Sequence, residues 1–130
     1  MKLLIAALLA VFSTGAMAGW TYFDSPEDYT YDIYVDKTTI RKRGNVAKMW
    51  YLTDYKSPQK TADGRTYLSI KVLMAHDCVE IRRRILAITS FSGNLGKGEV
   101  VFSHQNGDGE WQDVVPDSIG MTEWKAACKK

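Results

Sequence analysis

Residues 66–77 read TYLSIKVLMAHD, and Leu68, Ile70, Val72 and Met74 recur there at every second position while Ser69 and Lys71 fall between them. Alternation with period two is the mark of a strand with one buried and one wetter face. Downstream, Val79 to Phe91 repeats the pattern more weakly, with Leu86 and Ile88 opposite Ile85, Ala87 and Thr89. Upstream, Lys56 to Arg65 carries Pro58 and Asp63-Gly64 and nothing apolar larger than Ala62, which predicts a solvated loop. Before it come three further strand candidates, Trp20 to Phe23, Tyr29 to Val35 and Val46 to Tyr55. Turn signals at Ser25-Pro26 and Gly44-Asn45 separate them. Beyond residue 91, Ser92 to Gly98 reads as a hairpin turn and Val100 to Ser103 as another strand. Asn106-Gly107-Asp108-Gly109 then predicts a turn ahead of Trp111.

The period changes after Trp111. Pro116-Asp117-Ser118 offers helix-capping side chains, and Met121, Trp124 and Cys128 then form one helical stripe. Lys125, Lys129 and Lys130 suit the negative end of the helix dipole, while Gly120 weakens the first turn by about 1 kcal/mol relative to Ala. Connections this short favour antiparallel pairing, since parallel strands need long crossovers. The expected fold is α+β and mainly β: a curved antiparallel meander of about six strands with one C-terminal helix docked on it.

The N-terminus reads as an address. Lys2 is followed by the apolar run Leu3 to Phe12 and by Ala16-Met17-Ala18, the order of a secretory signal peptide with cleavage before Gly19. This divides the chain into a signal peptide, 1–18, and one domain, 19–130. The run is half of the roughly 20 residues a spanning helix needs, so no stable membrane insertion is expected. No cysteine adjoins the cleavage site, so the product is not expected to be a lipoprotein but a periplasmic or secreted protein. In an oxidising compartment, Cys78 and Cys128 have one way to pair, closing a loop of about fifty residues and pinning the helix to the sheet.

The 130 residues hold 17 Lys and Arg against 15 Asp and Glu. Without Lys2 the net charge is +1, which speaks against a nucleic-acid partner. The cationic cluster is Arg82-Arg83-Arg84. On a strand, Arg82 and Arg84 share a face and Arg83 takes the other. The plain reading is a solvated strand with Arg83 at its margin or paired to a carboxylate. The functional reading is an anion-recognising stripe of Arg82 and Arg84 with Lys71 on a neighbouring strand. Tyr29, Tyr31, Tyr34, Trp50, Tyr51 and Tyr55 serve either cross-strand packing or a ring-binding platform, and packing is the default. His76 and Cys78 lack further ligands at metal-binding spacing. Ser92 to Gly98 lacks the pattern of a phosphate loop, and the sequence carries no G-x-S-x-G or H-E-x-x-H. No catalytic residue, metal ligand or cofactor is assigned.

Taken in order, Tyr34-Val35-Asp36, Thr39-Ile40-Arg41, Val46 to Trp50, Asp54-Tyr55 and Pro58-Gln59 resemble the surface-adhesin protein E family of Gram-negative bacteria. The likeness continues through Ser69-Ile70-Lys71-Val72, Asp77-Cys78, Gly96 to Val101, Pro116-Asp117-Ser118 and Cys128. The resemblance implies a small antiparallel sheet with a C-terminal helix, no cofactor and no catalysis. It also implies adhesive binding of host matrix or serum proteins. With the charges of Arg82, Arg84 and Lys71, the first functional reading is a binding module for another protein, of the host or the envelope, or for an anionic polymer; a homodimer is left open. The alternative is a periplasmic inhibitor or accessory factor of an envelope enzyme such as lysozyme, although the serine-glycine inhibitory loop expected of one is echoed only by Ser92-Gly93-Asn94.

Overall fold

A computed structural model describes residues 19–105, 107 and 109–129. Six strands, β1 (Thr21–Asp24), β2 (Tyr31–Arg43), β3 (Val46–Lys60), β4 (Thr66–Asp77), β5 (Arg82–Phe91) and β6 (Val100–His104), lie side by side in sequence order. Every neighbouring pair is antiparallel, and a two-residue strand, β7 (Gln112–Asp113), pairs with the free end of β5. Helix α1 (Ile119–Cys128) ends the chain. The expected meander of about six strands with one helix is therefore the fold.

Strand β4 has the bounds its alternation predicts. β5 begins at Arg82, three residues later than expected, whereas β2 and β3 run longer than their composition indicates. β2 continues eight residues past Val35 to Arg43, and β3 continues through Pro58 to Lys60, so the expected loop shrinks to residues 61–65. Proline cannot donate to a ladder, and here the β3–β4 register breaks between Asp54 and Gln59, which lets Pro58 sit where no donor is needed. The Asn106 to Gly109 turn falls partly on residues outside those described.

Ser118 caps α1 by accepting a hydrogen bond from the Met121 N–H at 3.1 Å, and Lys129 closes it in the left-handed conformation. The helix covers one face of the sheet. Ile33, Val35, Ala47, Met49, Tyr51 and Met74 pack there with Val114, Trp124, Ala127 and Cys128. Trp124 is buried and its indole N–H donates to the Asp77 carbonyl at 2.8 Å, while Cys128 is bonded to Cys78 with Cα atoms 5.6 Å apart. Two anchors thus hold α1 to the end of β4.

Part of the opposite face, around Leu52, Asp54 and Ser69, is covered by the β5–β6 connection. Its short 3-10 turn (Asn94–Gly96) lies over Leu52 and Ser69, both fully buried. Ser69 Oγ donates to the Gly93 carbonyl at 2.7 Å and accepts from the Gly96 N–H at 2.9 Å, and Asp54 accepts from the Leu95 N–H at 2.7 Å. Gly98, at φ +83°, stands where a Cβ would meet Ser92 Oγ at 2.3 Å, so the tight return of this loop requires glycine.

Candidate ligand-binding face

Register decides which charges meet. Beneath α1, Lys42, Ala47, His76 and Arg83 form one row across β2 to β5. Arg83 reaches Glu123 of the helix at 3.4 Å, the carboxylate partner its plain reading anticipates. Tyr51 Oη lies 2.7 Å from His76 Nε2 and donates to the Glu123 carbonyl at 3.3 Å. Burial pushes the Glu123 carboxyl up to about 7, against the opposing pull of Arg83, and pushes the His76 imidazole down to about 4. It also holds the Tyr51 phenol well above its ordinary range. His76 has no exposed surface. This network locks helix to sheet and offers nothing to a ligand. Gly120 belongs to it: a Cβ there would stand 2.9 Å from the Arg83 guanidinium, so the glycine that weakens the helix makes room for the ion pair.

The other face is different. Arg41, Lys48, Ala75 and Arg84 form one row, and Arg43, Val46, Asp77 and Arg82 the next. Adjacent strands are about 4.8 Å apart, so Arg41 and Arg84 stand roughly 14 Å from each other with Lys48 between them. Arg41 is steadied by donating to the carbonyls of Thr38 and Ile40 at 3.0 and 2.9 Å. Arg82 and Arg84 place their guanidinium carbons 5.1 and 4.9 Å from the Trp111 ring centre, a cation–π arrangement that restricts both side chains. Lys71 lies two rows away, roughly 13 Å along β4, with its Nζ 4.7 Å from the centre of the Trp50 ring. Trp50 shares this face with Lys48, two residues away on β3, and so joins Lys71 to the cationic rows.

The cations are not equal. Arg82 is paired with Asp77 at 3.1 Å and faces Asp113 across the β5–β7 ladder. Asp77 also accepts the Glu80 and Val79 N–H groups, and these with Arg82 hold its carboxyl below the usual range. Arg82 therefore secures the turn between β4 and β5. Among the described residues, Arg41, Arg43, Lys48, Lys71 and Arg84 have no carboxylate within ion-pair distance. At the β2–β3 hairpin, Arg41, Lys42, Arg43, Val46 and Lys48 line a concavity of about 530 Å³.

The sequence reading places Arg82, Arg84 and Lys71 on one face, and the structure does so. It misses Arg41, Arg43 and Lys48. Their signal was the run from Lys37 to Lys48, which holds five cations and no carboxylate. Most of the aromatics follow their default, but Tyr29 does not: it lies ahead of β2 and is 71% exposed. Tyr31 and Tyr55 lie 5.7 Å apart between ring centres, Tyr55 and Tyr67 6.0 Å, and Tyr22 and Tyr34 6.0 Å, each pair packing between neighbouring strands.

A family model described as "Surface-adhesin protein E" matches residues 20–129. Among solved structures, crystal form II of Haemophilus influenzae protein E is similar at a TM-score of 0.64 and 12% identity, covering 83% of this chain and 87% of that one. A selenomethionine form of the same protein matches at 0.63 and 12%, covering 83% and 85%. Identity this low carries the fold alone. No curated protein matches the chain.

Proposed function

The chain belongs to the surface-adhesin protein E family, and from that premise we propose that it is an exported, non-enzymatic binding protein that meets acidic partners with the helix-free face of its sheet. The observation that carries this reading is the placement of Arg41, Arg43, Lys48 and Arg84, from β2, β3 and β5, in two adjacent rows, with Lys71 joined to them through Trp50. Residues 1–18 direct export and are removed, leaving the domain 19–130 in the periplasm or outside the cell. Among the described residues no helix is long and apolar enough to cross a membrane. Arg84 and Lys71 make contact directly, and Arg82 contributes by holding the β4–β5 turn in place. The adhesin description of the family supports host proteins as partners; matrix or serum proteins and envelope components are the classes proposed.

The inhibitor reading fares less well. An inhibitory loop projects, whereas the Ser92 to Gly98 segment is bonded down onto Ser69 and Asp54. Lysozymes are commonly basic, and a basic face repels them.

The test is capture on immobilised protein beginning at Gly19, from matrix proteins and from envelope extracts, at low and at moderate salt. Partners recovered at low salt should elute as salt rises, because exposed charges are screened beyond about 10 Å at 0.1 M. Recovery of no partner at low salt, or of partners whose retention ignores salt, refutes the proposal. N-terminal sequencing of the exported protein should begin at Gly19.

A further inference from the structure

We propose that the sector formed by Arg41, Arg43, Lys48 and Arg84 binds a polysaccharide chain carrying sulfate or phosphate esters. The inference rests on the reading above and names its ligand class. Three features of the face bear on its ligand: the kind of cation suits any oxyanion, and the other two select a polyanionic glycan over an acidic protein.

The first is the kind of cation. Three of the four are arginines, whose planar fork meets a tetrahedral oxyanion with two parallel hydrogen bonds, while a lysine acts as a point charge. Arg84 is already ordered against Trp111, and its Nε–H is buried with no acceptor within the described residues. Less freedom is then lost when an anion arrives.

The second is shape. The hairpin concavity of about 530 Å³ has a rim of arginines and lysines and no acidic lining residue. Its volume lies within the range of small-ligand sites, roughly 300–1,000 Å³. From it the row runs past Ala75 to Arg84, a path of roughly 14 Å. One ion would leave most of that path empty, whereas a chain with repeated esters follows it.

The third is what the sector lacks. Protein partners ordinarily seat an apolar or aromatic anchor at the centre of a contact. Among the described residues the exposed large apolar side chains are Tyr22, Tyr29, Val79, Ile81, Ile85, Val100, Phe102 and Val115, none of which lies in the two cationic rows. The half-buried indoles bordering those rows, Trp50 and Trp111, are engaged by Lys71 and by Arg82 and Arg84. A solvated chain recognised by charge needs no such anchor.

The experiment is isothermal titration calorimetry of the disulfide-bonded domain in 50 and 200 mM NaCl. The probes are dextran sulfate oligosaccharides, phosphorylated mannan oligosaccharides, polyglutamate of matched charge, and uncharged dextran. At least one esterified glycan should bind, and the two arms decide between sulfate and phosphate. Affinity should fall roughly ten-fold or more between the two salts, as expected when several counterions are released. Polyglutamate should bind at least about ten-fold more weakly: its carboxylates also fit arginine forks, but ordering a flexible peptide along the row costs more than seating a stiffer sugar chain. The triple variant Arg41→Gln, Arg43→Gln, Lys48→Gln should lose roughly ten-fold or more, because several counterion-releasing contacts go together. The double variant Arg41→Lys, Arg43→Lys keeps the charge and should still lose several-fold, a loss that a purely electrostatic surface would not show. Near-UV circular dichroism confirms that each variant is folded. Equal or tighter binding of polyglutamate overturns the glycan proposal and leaves the acidic-partner reading standing. No binding of any polyanion at 50 mM overturns both. Unchanged affinity in the triple variant removes the site.

Discussion

Glu123 and His76 are two buried groups displaced in opposite directions by the same cause, and they make the pH dependence of the fold testable. The carboxyl rises from 4.5 to about 7 and the imidazole falls from 6.5 to about 4. A carboxyl raised on folding gives stability in full below its unfolded value and loses it as pH climbs toward 7. An imidazole lowered on folding gives stability in full above 6.5 and loses it as pH drops toward 4. Between pH 4.5 and 6.5 the two slopes oppose each other, each worth on the order of 2 kcal/mol across that window. Glu123→Gln removes one slope and keeps a neutral partner for Arg83, so its stability should rise with pH over this range while the parent stays nearly level. Urea midpoints at pH 4.5, 5.5 and 6.5 measure it, and a level profile in the variant would show that His76 is not buried as a neutral ring. Neither residue was legible as part of a network in the sequence. His76 could be read as a strand position, but Glu123 sits in an exposed-looking helical segment. Only the approach of Arg83 through the space at Gly120 explains its burial.

At the scale of elements, α1 is held by two independent anchors, and they should separate experimentally. Replacing Cys78 and Cys128 by serine removes a constraint on a loop of 50 residues, worth about 4 kcal/mol in the chain-entropy account. Trp124 remains buried and bonded to the Asp77 carbonyl, so the variant should still unfold in one cooperative step, with Tm lower by roughly 15 °C. Differential scanning calorimetry distinguishes this from the alternative in which the helix melts first and the sheet later; two transitions would show that the disulfide alone docks α1. Trp124→Ala with the bond intact should cost roughly 3–5 kcal/mol, the usual penalty for emptying a buried aromatic site. Strand β4, the helix and their covalent link were all readable beforehand, because each buries one face and burial imposes a period on the sequence. The far ends of β2 and β3 were not. Lys37 to Arg43 has a single apolar side chain, Ile40, which packs against the core, and the rest of the segment is polar, so it pairs with β3 without showing any alternation. Residues 56–60 hide in the same way, with Pro58 adding a false signal that the register break absorbs.

The whole molecule is divided by its sheet into a face that folds and a face that is free to bind, and this division is invisible to net charge. Without Lys2 the cations exceed the anions by one, a balance that predicts weak retention on any ion exchanger. The distribution predicts otherwise. Arg41, Arg43, Lys48 and Arg84 lie in two adjacent rows, and the helix-side Lys42 borders the same hairpin. Asp24, Glu27, Asp28, Asp32 and Asp63 sit around β1 and the distant turns, while Asp77 and Asp113, which do adjoin the rows, face Arg82. A charged resin samples the most favourable orientation of a protein, so one concentrated patch governs binding more than the overall sum. The domain should therefore bind a sulfonate cation exchanger at pH 7.5 and low salt. Two triple variants with identical net charge isolate the cause. Arg41→Gln, Arg43→Gln, Lys48→Gln should flow through, while Lys60→Gln, Lys97→Gln, Lys125→Gln should elute close to the parent, because those three lysines are exposed on separate elements. Equal loss in both would mean that the charges act only as a sum, and the face would then be a solvated surface of the ordinary kind. The contrast also shows why composition alone argued for no particular partner. Charge became informative only after β-sheet register placed residues from positions 41, 48 and 84 in one line.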